Sequence, residues 1–225
     1  MNQNIEDLVA GFAGWVEAFE ARQGFAGPSR YFHDKAIELR RGYREASALL
    51  ADVRFLEYVY AVLPSWGMHR MGPQKAKVAE FGEIVAALRQ SEAEIVELWP
   101  FDITTLSEPD AMRAAELAWC VIERVRVSRS GTQIVAGSKF LHHLLPDLIP
   151  PIDRAHTFRF FTGSGYVRSD RHSFLEWLPR FASIGRRCAE PIIDVMAAPV
   201  GTRFMGTGKA KVIDNAIISF MQGRV

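Results

Sequence analysis

Apolar residues recur every three or four positions along most of this chain, and proline or glycine interrupts each run. That rhythm constrains the fold more than any single motif does. Leu8, Phe12, Trp15 and Phe19, with Val9 and Val16 beside them, predict an amphipathic helix over 4–23, ended by the Gly24–Pro28 stretch. Ser29 is placed to cap a second helix running to about Leu50. A third opens near Asp52, carries Phe55, Leu56, Val59, Val62 and Leu63, and stops at Pro64. Pro73 opens a helix through Leu88. Ser91 with Glu94 and Ser107 with Asp110 have capping-box spacing, and predict a short helix to Trp99 and a longer one from Ala111 to about Arg124. Asp170 or Ser173 caps a helix bearing Phe174, Trp177, Leu178 and Phe181, and the last helix runs from about Lys209 to Met221. The fold class expected is all-α. Residues 1–225 form one unit with a cleft, divisible into helical lobes at about 1–106 and 107–225 with the N-terminal helices packing across both.

The chain is 48% hydrophobic and 24% charged, the balance of a globular protein with a full core. No apolar run reaches the roughly 20 residues that a membrane span needs. The start, Asn4 to Leu8, is acidic where a signal peptide would be basic, so a cytoplasmic protein with no membrane contact is expected. Cys120 and Cys188 read as core thiols. The net charge of +1 is unevenly distributed: residues 1–112 carry 11 Lys and Arg against 17 Asp and Glu, leaving 16 and 9 for the rest. Such asymmetry fits one face meeting a polyanion, or equally two halves that attract each other.

The stretch that bears chemistry is 132–161. Lys139 stands near the head of a short apolar helix, Phe140 to Leu145, which must end before Pro146; Pro150 and Pro151 turn the chain, and Asp153 opens a pattern from His156 to Phe161. Upstream, 125–135 alternates as a β-hairpin would around Ser130 and Gly131, but helix, turn, helix is the reading adopted. Gly137-Ser-Lys139 followed by Pro151-Ile-Asp153 resembles the helix-hairpin-helix DNA glycosylase superfamily, whose pattern is Gly-x-Gly-x-Lys followed by Pro-Val-Asp-Thr-His. The resemblance implies a base-excision enzyme acting on damaged DNA without a cofactor. Neutral Lys139 would attack the sugar carbon and form a Schiff base, with lyase activity, while Asp153 would stabilise the developing charge and shuttle protons. Amides at Gly137 and Ser138 would hold a phosphate.

Arg126, Arg129 and Arg154 are the expected nucleic-acid contacts, and Arg124, Arg168, Arg171, Arg186 and Arg187 could grip phosphates around the cleft. In the Trp- and Met-rich loop 65–73, Trp66, His69 and Arg70 could line a pocket for a flat ring, although plugging a gap between helices would use the same residues. His142, His143 and His156 make a poor metal set, since adjacent histidines on a helix diverge by about 100°. Gly206-Thr-Gly-Lys209 lacks the first glycine and the final Ser or Thr of a phosphate loop. Only one glycine precedes Lys139, which favours the alternative, a non-catalytic helical module for nucleic acid or a protein partner. A small-molecule enzyme with Trp66 and His69 in its pocket is the third reading.

Overall fold

Proline, glycine and short polar side chains decide where the helices begin and end. The computed structural model describes residues 3–22, 27–68, 78–197 and 208–224. Among these residues the regular elements are all helical, and the isolated bridge between Val78 and Ser128 is the only β-type pairing. The expected first helix is two, α1 (Gln3–Ala10) and α2 (Phe12–Ala21), separated at Gly11. The Trp15 indole lies against that glycine, where a Cβ would come within 2.9 Å of Nε1. The second is also divided: α3 (Pro28–Arg41) starts with Pro28 in its first turn, and α4 (Ala46–Ala51) follows a break at Gly42. Ser29 does not cap α3; its hydroxyl donates to the Ser65 carbonyl at 2.6 Å.

Helix α5 (Val53–Leu63) opens with Asp52 accepting from the Arg54 amide at 3.0 Å and ends at Pro64, as the sequence requires. A wide turn, Pro64–Met68, follows it. Next come α6 (Phe81–Arg89), capped by a Glu80–Glu83 box, and α7 (Glu92–Leu98). Ser91 is no box partner: its hydroxyl donates to the Ala87 carbonyl and accepts from Arg124 at 3.0 Å. Ser107 does cap α8 (Glu108–Val125), accepting from the Asp110 amide. Pro73 lies outside the described residues.

Between α8 and α9 (Ile134–Leu144) the chain turns through a non-helical segment whose first residue, Arg126, has φ +43°. Helix, turn, helix is therefore the arrangement. The strand-like alternation has a local cause: Val125 and Val127 face the core, Arg126 faces out, and Val127 accepts from the Ala79 amide at 2.9 Å. Then follow the turn Arg154–Phe158, α10 (Arg159–Thr162), α11 (Asp170–Arg187), α12 (Ala189–Ala197) and α13 (Lys209–Gly223). Ser169 caps α11, while Asp170 reaches across to α9 and accepts from the amides of Gln133 and Ile134 at 2.5 and 3.1 Å.

A single hydrophobic cluster joins Ile5 to Phe220, with α8 packed on α11 and α13 packed on α2. Glycine permits two close approaches: a Cβ on Gly185 would lie 2.5 Å from the Ile103 carbonyl oxygen, and one on Gly137 would lie 2.6 Å from Ile122. The charge asymmetry is largely answered inside the chain. Acid from the first half meets base from the second in Glu6–Arg187, Asp7–Arg224, Glu94–Arg124, Glu97–Arg113, Glu80–Arg129 and Asp102–Lys209. No helix among the described residues is long and apolar enough to cross a membrane.

Candidate functional site

Helix α9 starts earlier than its apolar run suggests, so Lys139 stands in mid-helix rather than at a helix head. Its ammonium reaches the Trp66 carbonyl at 3.2 Å and lies 5.8 Å from the centre of the Trp66 ring. Burial lowers the Lys139 pKa; the nearby Asp153 and Asp214 carboxylates resist that shift and the Lys211 ammonium reinforces it. Asp153 follows the prolines and caps the turn after them: Oδ1 accepts from the amides of His156 at 2.6 Å and Thr157 at 3.4 Å, and Oδ2 from His156 Nδ1 at 3.0 Å. Burial pushes the Asp153 pKa up, but those hydrogen bonds, with the charges of His156 and Lys139, hold it below the usual carboxylate value. The pair thus shares one electrostatic environment without a direct ion pair.

Behind them α13 supplies a buried polar group. Lys211 donates to Asp214 Oδ2 at 2.6 Å and to Asn215 Oδ1 at 3.0 Å, and its side chain and that of Asp214 are only 8% and 3% exposed. Asp214 Oδ1 and Asn215 Nδ2 have no hydrogen-bond partner among the described residues. Burial raises the Asp214 pKa, so the two carboxylates are driven in opposite directions. The Lys211 ammonium lies 5.6 Å from the Trp66 ring centre, close to the distance found for Lys139.

Three imidazoles surround the same indole. His142 Nδ1 donates to the Ile149 carbonyl at 2.8 Å and His143 Nδ1 to the Lys139 carbonyl at 2.7 Å. His143 Nε2 must therefore accept, which makes His33 Nδ1 the donor in their 2.9 Å contact. All three are fully buried, and that burial lowers each pKa, His143 to about 4. Among the described residues no cluster of His, Cys, Asp and Glu is arranged to hold a metal.

No family model, curated protein or solved structure matches this chain. The side chains themselves therefore carry the reading of the site.

Lys139 meets Trp66 and lies within electrostatic reach of Asp153, but several expected contacts take other roles. Gly137 and Ser138 lie inside a buried helix rather than at a phosphate-binding terminus. The Gly137 amide donates to the Gln133 carbonyl at 2.8 Å, and the Ser138 hydroxyl accepts from the Ile152 amide at 3.0 Å, tying α9 to the loop that delivers Asp153. Arg129 pairs with Glu80 and lies 3.9 Å from Glu83, and Arg154 donates to Thr132 at 3.0 Å. Arg126 is exposed at the turn after α8. Trp66 is half-buried, its indole N–H donating to the Ser29 carbonyl at 3.1 Å, so it acts as a wall for the lysines. His69 and Arg70 lie outside the described residues.

The sequence alone attached no role to Lys211, Asp214, Asn215 or His33, although the stretch from Lys211 to Ile217 resembles segments of uncharacterised bacterial and archaeal proteins. A lysine, an aspartate and an asparagine at positions i, i+3 and i+4 amid the apolar residues of the last helix were the available signal, because that spacing sets them on one face. Nothing in the sequence distinguished His33 from an exposed histidine on a polar helix.

Proposed function

We propose that this protein is a DNA glycosylase-like base-excision enzyme that uses Lys139 as an amine nucleophile, with Asp153 ionised beside it. The single observation that carries this reading is the half-buried lysine held beside a carboxylate but not ion-paired to it, with burial favouring the neutral amine. An exposed lysine is almost wholly ammonium at neutral pH and cannot attack; desolvation is the physical route to a reactive one. A base within a duplex must leave the stack before its sugar can be reached, at a cost of a few kcal/mol. The helical fold and the order lysine helix, proline loop, aspartate agree with the superfamily that the sequence resembles.

Borohydride trapping on a duplex carrying an abasic site tests the reading. A covalent adduct is expected with the wild type, absent in Lys139→Gln and sharply reduced in Asp153→Asn. No adduct, together with no release of uracil, hypoxanthine or 8-oxoguanine from duplex DNA, rejects it.

A second reading has its own support. Gly137 and Ser138 are buried, and Arg129 is paired with acids, so two parts of the expected phosphate grip are occupied. A non-catalytic helical module for nucleic acid or a protein partner fits those facts. DNA affinity that falls steeply with salt would identify a nucleic-acid binder; absence of DNA binding leaves the protein-partner role.

A further inference from the structure

The base-excision reading leaves one requirement open: the departing base needs a proton. Asp153 is poorly placed to give one. Both its oxygens already accept hydrogen bonds, two from backbone amides and one from His156, and its low pKa keeps it a carboxylate. The imidazole of His156 is the proton-bearing group at this edge of the site. Its side chain and that of Asp153 are 24% and 25% exposed, whereas Asp214 and Lys211 behind them are buried. Because Nδ1–H points at the carboxylate, the other ring nitrogen, Nε2, lies on the side of the ring away from Asp153.

The fold fixes this arrangement twice. The Asp153 carboxylate holds the first turn of Arg154–Phe158 through the His156 amide and the His156 ring through Nδ1. The Asp153 amide in turn donates to the Thr157 hydroxyl at 3.2 Å. The charges facing His156 are Asp153 on its own turn, Asp214 on α13 and Arg159 on α10; the hydrogen bond to Asp153 leads, burial opposes it, and the pKa is raised. Lys139 on α9 and Lys211 on α13 reach this group through the two carboxylates.

We propose that His156 is a catalytic residue of the base-excision reaction, donating its Nε2 proton to the leaving base, and that Asp153 is the positioning residue that orients the ring. The inference rests on the reading given above. In the step, the bond from C1′ to the base breaks and its electron pair goes to the base, which takes the proton from His156. The lone pair of neutral Lys139 forms the new bond to C1′, and the surplus proton on that nitrogen passes to water. Neutral His156 regains its proton from solvent, so no oxidant or reductant enters. General acid catalysis by a positioned side chain is worth roughly 10²–10⁴-fold.

The experiment compares wild type, His156→Gln, Asp153→Asn and Lys139→Gln from pH 5 to 9. Two probes are used: borohydride trapping on abasic duplex, and single-turnover base release from duplexes containing uracil, hypoxanthine or 8-oxoguanine. An abasic site has no base to protonate. His156→Gln is therefore expected to trap it within about twofold of wild type while base release falls on the order of a hundredfold and loses its decline at alkaline pH. Lys139→Gln loses both. The His156 ring, followed by NMR, titrates above the ordinary histidine value in the wild type and lower in Asp153→Asn. The proposal is overturned if His156→Gln releases base at the wild-type rate, if it loses trapping and release in parallel as a merely structural residue would, or if the Asp153→Asn ring titrates unchanged. Wild-type trapping with none of the three bases released also overturns it, since a lyase acting on abasic sites alone needs no such acid. A wild type that neither traps nor releases instead rejects the base-excision reading itself.

Discussion

Lys139 and Lys211 are chemically identical side chains near one indole, and their surroundings give them different tasks. Lys211 is clamped by Asp214 and Asn215; Lys139 holds only a carbonyl oxygen among the described partners. Removing Lys211 would leave the buried Asp214 uncompensated, so Lys211→Met is expected to cost about 3–5 kcal/mol, most of it recovered when Asp214→Leu is added. Lys139→Gln, in contrast, is expected to change stability by no more than about 1 kcal/mol while abolishing trapping on abasic DNA. Urea denaturation of the wild type and these three variants separates the cases. Equal losses for the two lysines would mean that the ion pair confers no special stability. At this scale the sequence was half legible. Lys139 and Asp153 stood out because proline and glycine framed them, whereas the Lys211 group was hidden by the apolar residues around it.

At the scale of elements, capping and close packing explain which expectations held. Asp52 and Ser107 do what short polar side chains do before a helix. Ser91 has the same spacing, yet its hydroxyl is taken by the Ala87 carbonyl and by Arg124, competition that no local pattern reveals. The start of α9 was misread because its cap, Asp170, comes from 36 residues beyond Ile134. Gly137 looked like a phosphate-binding glycine because local sequence cannot show Ile122 lying against it. Gly137→Ala is therefore expected to destabilise by about 1–3 kcal/mol through overpacking, measured as a lower denaturation midpoint with unchanged slope. A neutral result would show that Ile122 can move aside. Ser107→Ala, which removes a cap from exposed surroundings, should cost only about 1 kcal/mol.

Across the whole molecule, three imidazoles buried in the neutral form make stability depend on pH. A histidine whose folded pKa is depressed binds a proton in the unfolded chain first. Stability is therefore highest above the unfolded value of 6.5 and is lost as pH falls toward the folded value. For His143, lowered to about 4, the full effect is about 3 kcal/mol. His33 and His142 are shifted in the same direction. His156 and Asp214, raised when folded, have the opposite sign: the His156 contribution is present below pH 6.5 and is lost as pH rises through its folded value. Net stability should decline steeply between pH 6.5 and 4, and His142→Phe should flatten that slope in urea melts taken across the range. An unchanged slope would place the acid sensitivity elsewhere.

The start of α13 and the exit of α9 share the same two residues. The Ala210 amide donates to the Pro146 carbonyl at 3.2 Å, the Lys209 amide to Asp147 Oδ1 at 3.0 Å, and Gly208 lies so near Pro146 that a Cβ would clash at 2.6 Å. These contacts join the helix bearing Lys139 end to end with the helix bearing Lys211 and Asp214. The turn holding Trp66 lies against both lysines, and its next residue, Gly67, has φ +83° with no atom of the described residues within 4 Å of where a Cβ would stand. A side chain at Gly67 would therefore strain the turn that carries Trp66 through its backbone angle, while both lysines kept their own partners.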